Sequence, residues 1–176
     1  AVRSLMALRR SDSSLAAWGQ LGLAVLWPML ISLSVGHWVR PWQLASAWHW
    51  VLPALPVLAA GALALWRWDW LRWPVGPAAD GQRLPYLSGV VGVLALWWVF
   101  ALGSSGAVQP LPWVPVLNPL DLAQLATLAF AARWLWGEAP RQMHPTGVAV
   151  LAGAAFVLVT CTDLRLMHHW GGVAWN

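Results

Sequence analysis

The sequence predicts an all-α fold: a polytopic transmembrane bundle of about five spanning helices with a short interfacial segment. Three observations lead there. Of 176 residues, 60% are hydrophobic and 9% charged, whereas a soluble domain carries roughly a quarter charged residues. The apolar residues come in long runs, parted by stretches rich in Pro, Gly and Arg. The 17 Trp gather mostly near the ends of those runs, and indole favours the headgroup level. Lipid offers no water to a bare backbone, so each run must close its hydrogen bonds internally, as a helix. Residues 1–176 read as one membrane region.

The elements follow in order. "AVRSLMALRRSDSS" resembles the basic start of a signal peptide. The run after it is too long for a cleaved leader and ends without a clean small-residue site, so it reads as a span. The five runs are 15–35, 48–66, 86–103, 119–136 and 146–162. The last three are short and need little tilt or a thin bilayer. Pro28, Pro53 and Pro56 interrupt the first two spans, each removing a backbone donor. Residues 37–50, "HWVRPWQLASAWHW", are too polar to span and too aromatic for a plain loop, which suggests a segment lying in the outer interface. Residues 73–85, "WPVGPAADGQRLP", read as a turn-rich loop. Small residues spaced four apart, Ser88/Gly92 and Ala149/Gly153, are candidates for close helix packing.

All ten basic residues are Arg, and the net charge is +4. Eight of the ten fall in the N-terminal flank and in the second and fourth connections. The positive-inside rule then places the N-terminus in the cytoplasm and the C-terminal tail outside. The expected location is a membrane that the chain crosses several times, with the bilayer as a partner. No basic stretch has the pattern of a nucleic-acid surface, so nucleic acid is excluded as a partner. The single Cys161 reads as a small packing residue.

Polar chemistry concentrates in two places. In "LPWVPVLNPLDLAQL", residues 111–125, Asn118 suits an N-cap and Pro119 the first helical position. Asp121 falls near the positive end of the helix dipole, within reach of the Asn118 N–H in a capping box. Gln124 lies one turn on, on the same face, where a cap does not explain it. An ionisable group at membrane depth is itself a site hypothesis. The second place is "TCTDLRLMHHWGGVAWN", residues 160–176. If the helix continues, Arg165 shares a face with His168 or His169, and the Gly171–Gly172 pair ends it. Four of the five His fall on the expected outer side, yet none has metal-ligand spacing. No metal and no cofactor is expected, and no nucleophile elbow, P-loop or dinucleotide loop is present. Ser104 and Ser105 in "GSSG" read as a loop.

"LPWVPVLNPLDLAQ", followed by an apolar span and then "LRLMHHWGGVAW", resembles the bacterial membrane proteins grouped as domain of unknown function 2339. The resemblance covers roughly 111–176, with Trp113 where Tyr is expected and Ala174 where Pro is expected. It implies a fragment of a longer protein in a bacterial inner membrane, with more spans as neighbouring transmembrane helices, often joined to a cytoplasmic coiled coil. It brings no established activity, and it singles out Asn118, Asp121, Arg165, His168 and His169. Three functions stay open. The first is an extracytoplasmic polar site that transfers a group from a lipid-linked substrate in the cell envelope. There Asp121 would be the base, Arg165 the phosphate holder, and His168 or His169 a proton carrier. Asn118, Gln124 and Trp113 would bind substrate. The second is a transporter or permease, and the third a membrane scaffold for a cytoplasmic partner region.

Overall fold

The computed structural model describes residues 1–11 and 13–175. The side chains of Arg10, Ser11 and Arg40 also fall outside the described set, two of them arginines from the orientation count. The described chain is helical: α1 Val2–Ser11, α2 Ser13–Val39, α3 Ser46–Trp66, α4 Trp68–Leu71, α5 Arg83–Leu102, α6 Pro119–Gly137 and α7 His144–Gly171. Tight turns at Arg40–Trp42, Gly76–Gln82 and Arg141–Met143 join them.

Each expected span is a helix, with shifted ends. Among the described residues, four helices are long and apolar enough to cross a membrane: α2, α3, and α5 and α7 each with its lead-in turn. The helix at the fourth expected span, α6, is present but more polar, because Asp121, Gln124 and Arg133 fall within its 19 residues. It packs against α3, α5 and α7. Neighbouring helices cover Asp121 and Gln124, while Arg133 stays exposed near the other end of the helix, so α6 can be polar where a lipid-facing helix cannot. Helices α2 and α7 flank the bundle and leave most of their apolar surface outward, as lipid contact requires. The 37–50 stretch divides differently from expectation. Helix α2 runs on through Val39 and α3 starts at Ser46, so only a short link separates them.

Close approach occurs at glycines other than those the spacing pointed to. Gly92 and Gly153 face open space. Instead, a Cβ on Gly61 of α3 would lie 2.8 Å from Phe130 of α6 and Val90 of α5. A Cβ on Gly147 of α7 would lie 2.6 Å from Leu135 of α6. Without side chains at these points the helices seat around Phe130 and Leu135.

Hydrogen bonds define two ends of the bundle. At the proximal end, where α2 begins, Arg83 donates to Leu65 O (3.1 Å) and pairs with Glu138 (2.7 Å), tying α5 to α3 and to the end of α6. Gln20 Nε2 donates to Trp73 O (3.0 Å). The distal end joins the starts of α3 and α6 to the ends of α5 and α7. There Ala47 N–H donates to Ala107 O (3.0 Å), which satisfies a helix-start donor that the Ala45 cap leaves bare.

Candidate functional site at the distal end

Helix α6 starts as its residues dictate. Asn118 is extended (φ −70°, ψ 149°), and its side-chain oxygen accepts from the N–H groups of Leu120 (2.9 Å) and Asp121 (3.0 Å). Pro119 follows at the first helical position. The expected capping box takes another form. The Asp121 carboxylate accepts from the Asn118 side-chain amide (2.5 Å) and from Val116 N–H (3.3 Å). Its other oxygen accepts from Arg165 Nη1 at 2.5 Å, and that partner turns the carboxylate away from the backbone of the cap.

Arg165 is fully buried, and Asp121 is 1% exposed. A guanidinium has five N–H donors, and here each finds an acceptor. Nε donates to Ser104 O (3.0 Å). Nη1 donates to Asp121 and to Gln124 Oε1 (3.0 Å). Nη2 donates to Ala101 O (3.2 Å) and Leu102 O (3.5 Å). The last two are carbonyls in the last turn of α5; Ala101 O also accepts from Ser104 N–H (3.2 Å). One side chain on α7 thus closes the end of α5, fixes the 103–106 turn and pairs with the first turn of α6. Gly106, in a left-handed conformation (φ +71°), lets that turn pass close to Arg165, whose Cδ would lie 3.4 Å from a Cβ there.

Above this clamp lies an aromatic and imidazole layer. Helix α7 continues through Gly171, so Arg165 and His169 do share a face, and both reach the same turn. His169 Nε2 lies 2.9 Å from Ser105 O, next to the Ser104 carbonyl that Arg165 holds. His168 Nδ1 lies 2.6 Å from Val173 O. A carbonyl can only accept, so each of these nitrogens carries the proton. In the neutral rings, His168 Nε2 and His169 Nδ1 are then the basic atoms. The Trp113 ring stacks on His169 (centroids 4.6 Å apart, planes at 23°) and meets Trp170 edge-on at 6.0 Å. Gly172 is left-handed (φ +69°), and the Gly172 N–H donates to Met167 O to close the helix. The turned-back tail brings the Trp175 indole to Gly103 O (3.1 Å).

All seven residues singled out from the sequence therefore meet at one end, in two tiers. Asn118, Asp121, Gln124 and Arg165 form the buried tier. Trp113, His168 and His169 form the half-exposed one. Two buried donors here, Gln124 Nε2 and Trp113 Nε1, have no partner among the described residues. Sequence reasoning missed the carbonyls of Ala101, Leu102 and Ser104, and also Trp175. Backbone acceptors carry no residue signal; the nearest hint was the pair of loop-like serines at the end of an apolar run. Among the described residues, no three His, Cys, Asp or Glu side chains are grouped to hold a metal ion.

A bundle of apolar helices with a buried ion pair and an aromatic rim at one end defines an integral membrane protein of the polytopic helical class. The chain belongs to the family described as "Predicted membrane protein (DUF2339)", which matches residues 1–176, well beyond the 111–176 stretch that carries the motif resemblance. No curated protein and no solved structure gives a significant match.

Proposed function

We propose that this chain is part of a bacterial inner-membrane protein whose distal end faces outward and transfers a group from a lipid-linked substrate in the cell envelope. The observation that carries this reading is the half-exposed tier: two imidazoles, each with one ring nitrogen left over, beside a stacked Trp113. In this reading one histidine takes the proton of an acceptor hydroxyl as its oxygen bonds to the transferred group. The bond to the lipid-phosphate leaving group breaks with its electron pair, and the second histidine, which enters the step as an imidazolium protonated on its free nitrogen, gives that proton to the group. Trp113, stacked on His169, forms the aromatic wall against which the acceptor lies. Asp121 and Arg165 act here as positioning residues, because each is spent on the other and neither is exposed. Asn118 and Gln124 hold the pair in place.

The test uses the full chain in cells lacking the native copy. With His168→Ala and His169→Ala at normal protein levels, lipid-linked envelope intermediates should accumulate, as read by mass spectrometry of extracted lipids. Unchanged lipids and envelope composition in both variants would discard the reaction. The scaffold reading would then stand, supported by the complete engagement of Arg165 in joining three helices. Sidedness is checked separately on a Cys161→Ser background. Single cysteines at Val114 and Val173 should both react with an impermeant thiol reagent in intact cells.

A further inference from the structure

A second site, at the opposite end, is not used by any of this. At the proximal end an open cleft of about 820 Å³ is lined by Arg9, Asp69, Arg72, Trp73, Pro74 and Gly76, among others. Trp73 and Pro74 also line an apolar groove of about 680 Å³ between α2 and α3. The two cavities are continuous in chemistry, polar at one end and oily at the other, and they share a wall.

The groove has the length of one leaflet. Its α2 wall runs from Gln20 to Ile31 and its α3 wall from Leu63 to Leu55. At a rise of about 1.5 Å per residue these walls span about 16 and 12 Å. A hydrocarbon core is about 30 Å thick, so the groove reaches roughly its middle. Trp70 and Trp73, both exposed, mark the headgroup level at its mouth.

The cleft carries both signs of charge. Arg9 is exposed and donates from Nη1 to Pro74 O (3.2 Å). Gly76, at φ +78°, brings the loop to within 3.6 Å of the Arg9 guanidinium, measured from the position a Cβ would take. Arg72 is already occupied by Asp69 and by Asp80 (3.0 Å). Asp69 nonetheless keeps 75% of its side chain exposed. The cleft thus offers one exposed guanidinium and one exposed carboxylate, with no net surplus of positive charge. Gln20, whose amide nitrogen is tied to the 71–73 backbone, leaves its Oε1 buried with no partner among the described residues, and it too lines the groove.

We propose that this is a binding site for a zwitterionic aminophospholipid. The phosphate sits on Arg9, the ammonium on Asp69, and an acyl chain lies in the α2–α3 groove. A free phosphate would leave the groove and Asp69 without a role. A purely anionic lipid would meet the Asp69 carboxylate with like charge.

The full chain, reconstituted from an equimolar mixture of phosphatidylethanolamine, phosphatidylglycerol and phosphatidylcholine and then repurified, tests this by mass spectrometry of the retained lipid. Phosphatidylethanolamine should be enriched over both others. Arg9→Gln should lower its retention about tenfold, the loss of one charge-assisted contact. Asp69→Asn should abolish the preference over phosphatidylglycerol while keeping total lipid. Ala59→Trp, which fills the groove, should lower retention of all three lipids. Retention in proportion to supply, enrichment of phosphatidylglycerol, or unchanged phosphatidylethanolamine retention in Arg9→Gln would each overturn the proposal. Asp69→Asn alters a largely exposed side chain and leaves Arg72 paired with Asp80, so its outcome does not hinge on folding.

Discussion

The two ends of this bundle hold charge in opposite ways. At the distal end the Arg165–Asp121 pair is out of contact with solvent, and every guanidinium donor is engaged. At the proximal end Arg83–Glu138 is 32% and 20% exposed, and Arg72 shares its charge between two exposed carboxylates. Desolvating a pair is costly, and it is sustained only when all remaining donors and acceptors are matched. The distal pair meets that condition because the end of α5 and the turn after it supply carbonyls, and the start of α6 supplies the Asp121 and Gln124 side chains. The proximal pairs avoid the cost by staying partly wet. The difference teaches that the distal ions belong to the architecture, whereas the proximal ones keep contact with solvent.

The contrast can be broken by substitution. The largest effect is expected for Arg165→Ala, which leaves the Asp121 carboxylate buried without its counter-ion and takes a donor from the Ser104, Ala101 and Leu102 carbonyls. It should lower stability by about 3–5 kcal/mol, read as thermal unfolding of the detergent-solubilised chain. Arg165→Lys should recover little of this, since an ammonium has three donors where five acceptors wait. Gly61→Leu comes next. Overpacking against Phe130 and Val90 should cost about 1–3 kcal/mol, while Gly92→Leu at a lipid-facing position should be near neutral. Loss of the α6 cap in Asn118→Ala should cost about 1–2 kcal/mol, toward the upper end because its amide also holds Asp121. The smallest stability effect belongs to the proximal end: Arg83→Gln should cost about 1 kcal/mol or less and lose its salt dependence. If Arg83→Gln proved as damaging as Arg165→Ala, the distinction between the two ends would be gone.

Much of the fold was legible because membrane constraints are local. Each apolar run became a helix, since lipid permits nothing else. The cap at Asn118 was legible for the same reason, as its partners lie within three residues. The shared face of Asp121 and Gln124 followed from helical spacing, and both indeed meet Arg165. The close-packed glycines were not legible. In a chain with 15 Gly and abundant Ala, the four-residue pattern occurs too often to pick out one contact. The polar character of α6 was visible, but not its place among α3, α5 and α7, which makes that character tolerable.

The sequence by itself determined the solvent, the helices and the start of α6. Composition decides whether a chain can live in water, and caps and dipoles act over one turn. Only the tertiary structure decided what Arg165 does. Its carboxylate partner lies 44 residues away, and three of its acceptors are backbone carbonyls that any residue possesses. Pairing across helices depends on which faces are brought together by packing. Packing is a property of the whole bundle, not of any stretch within it.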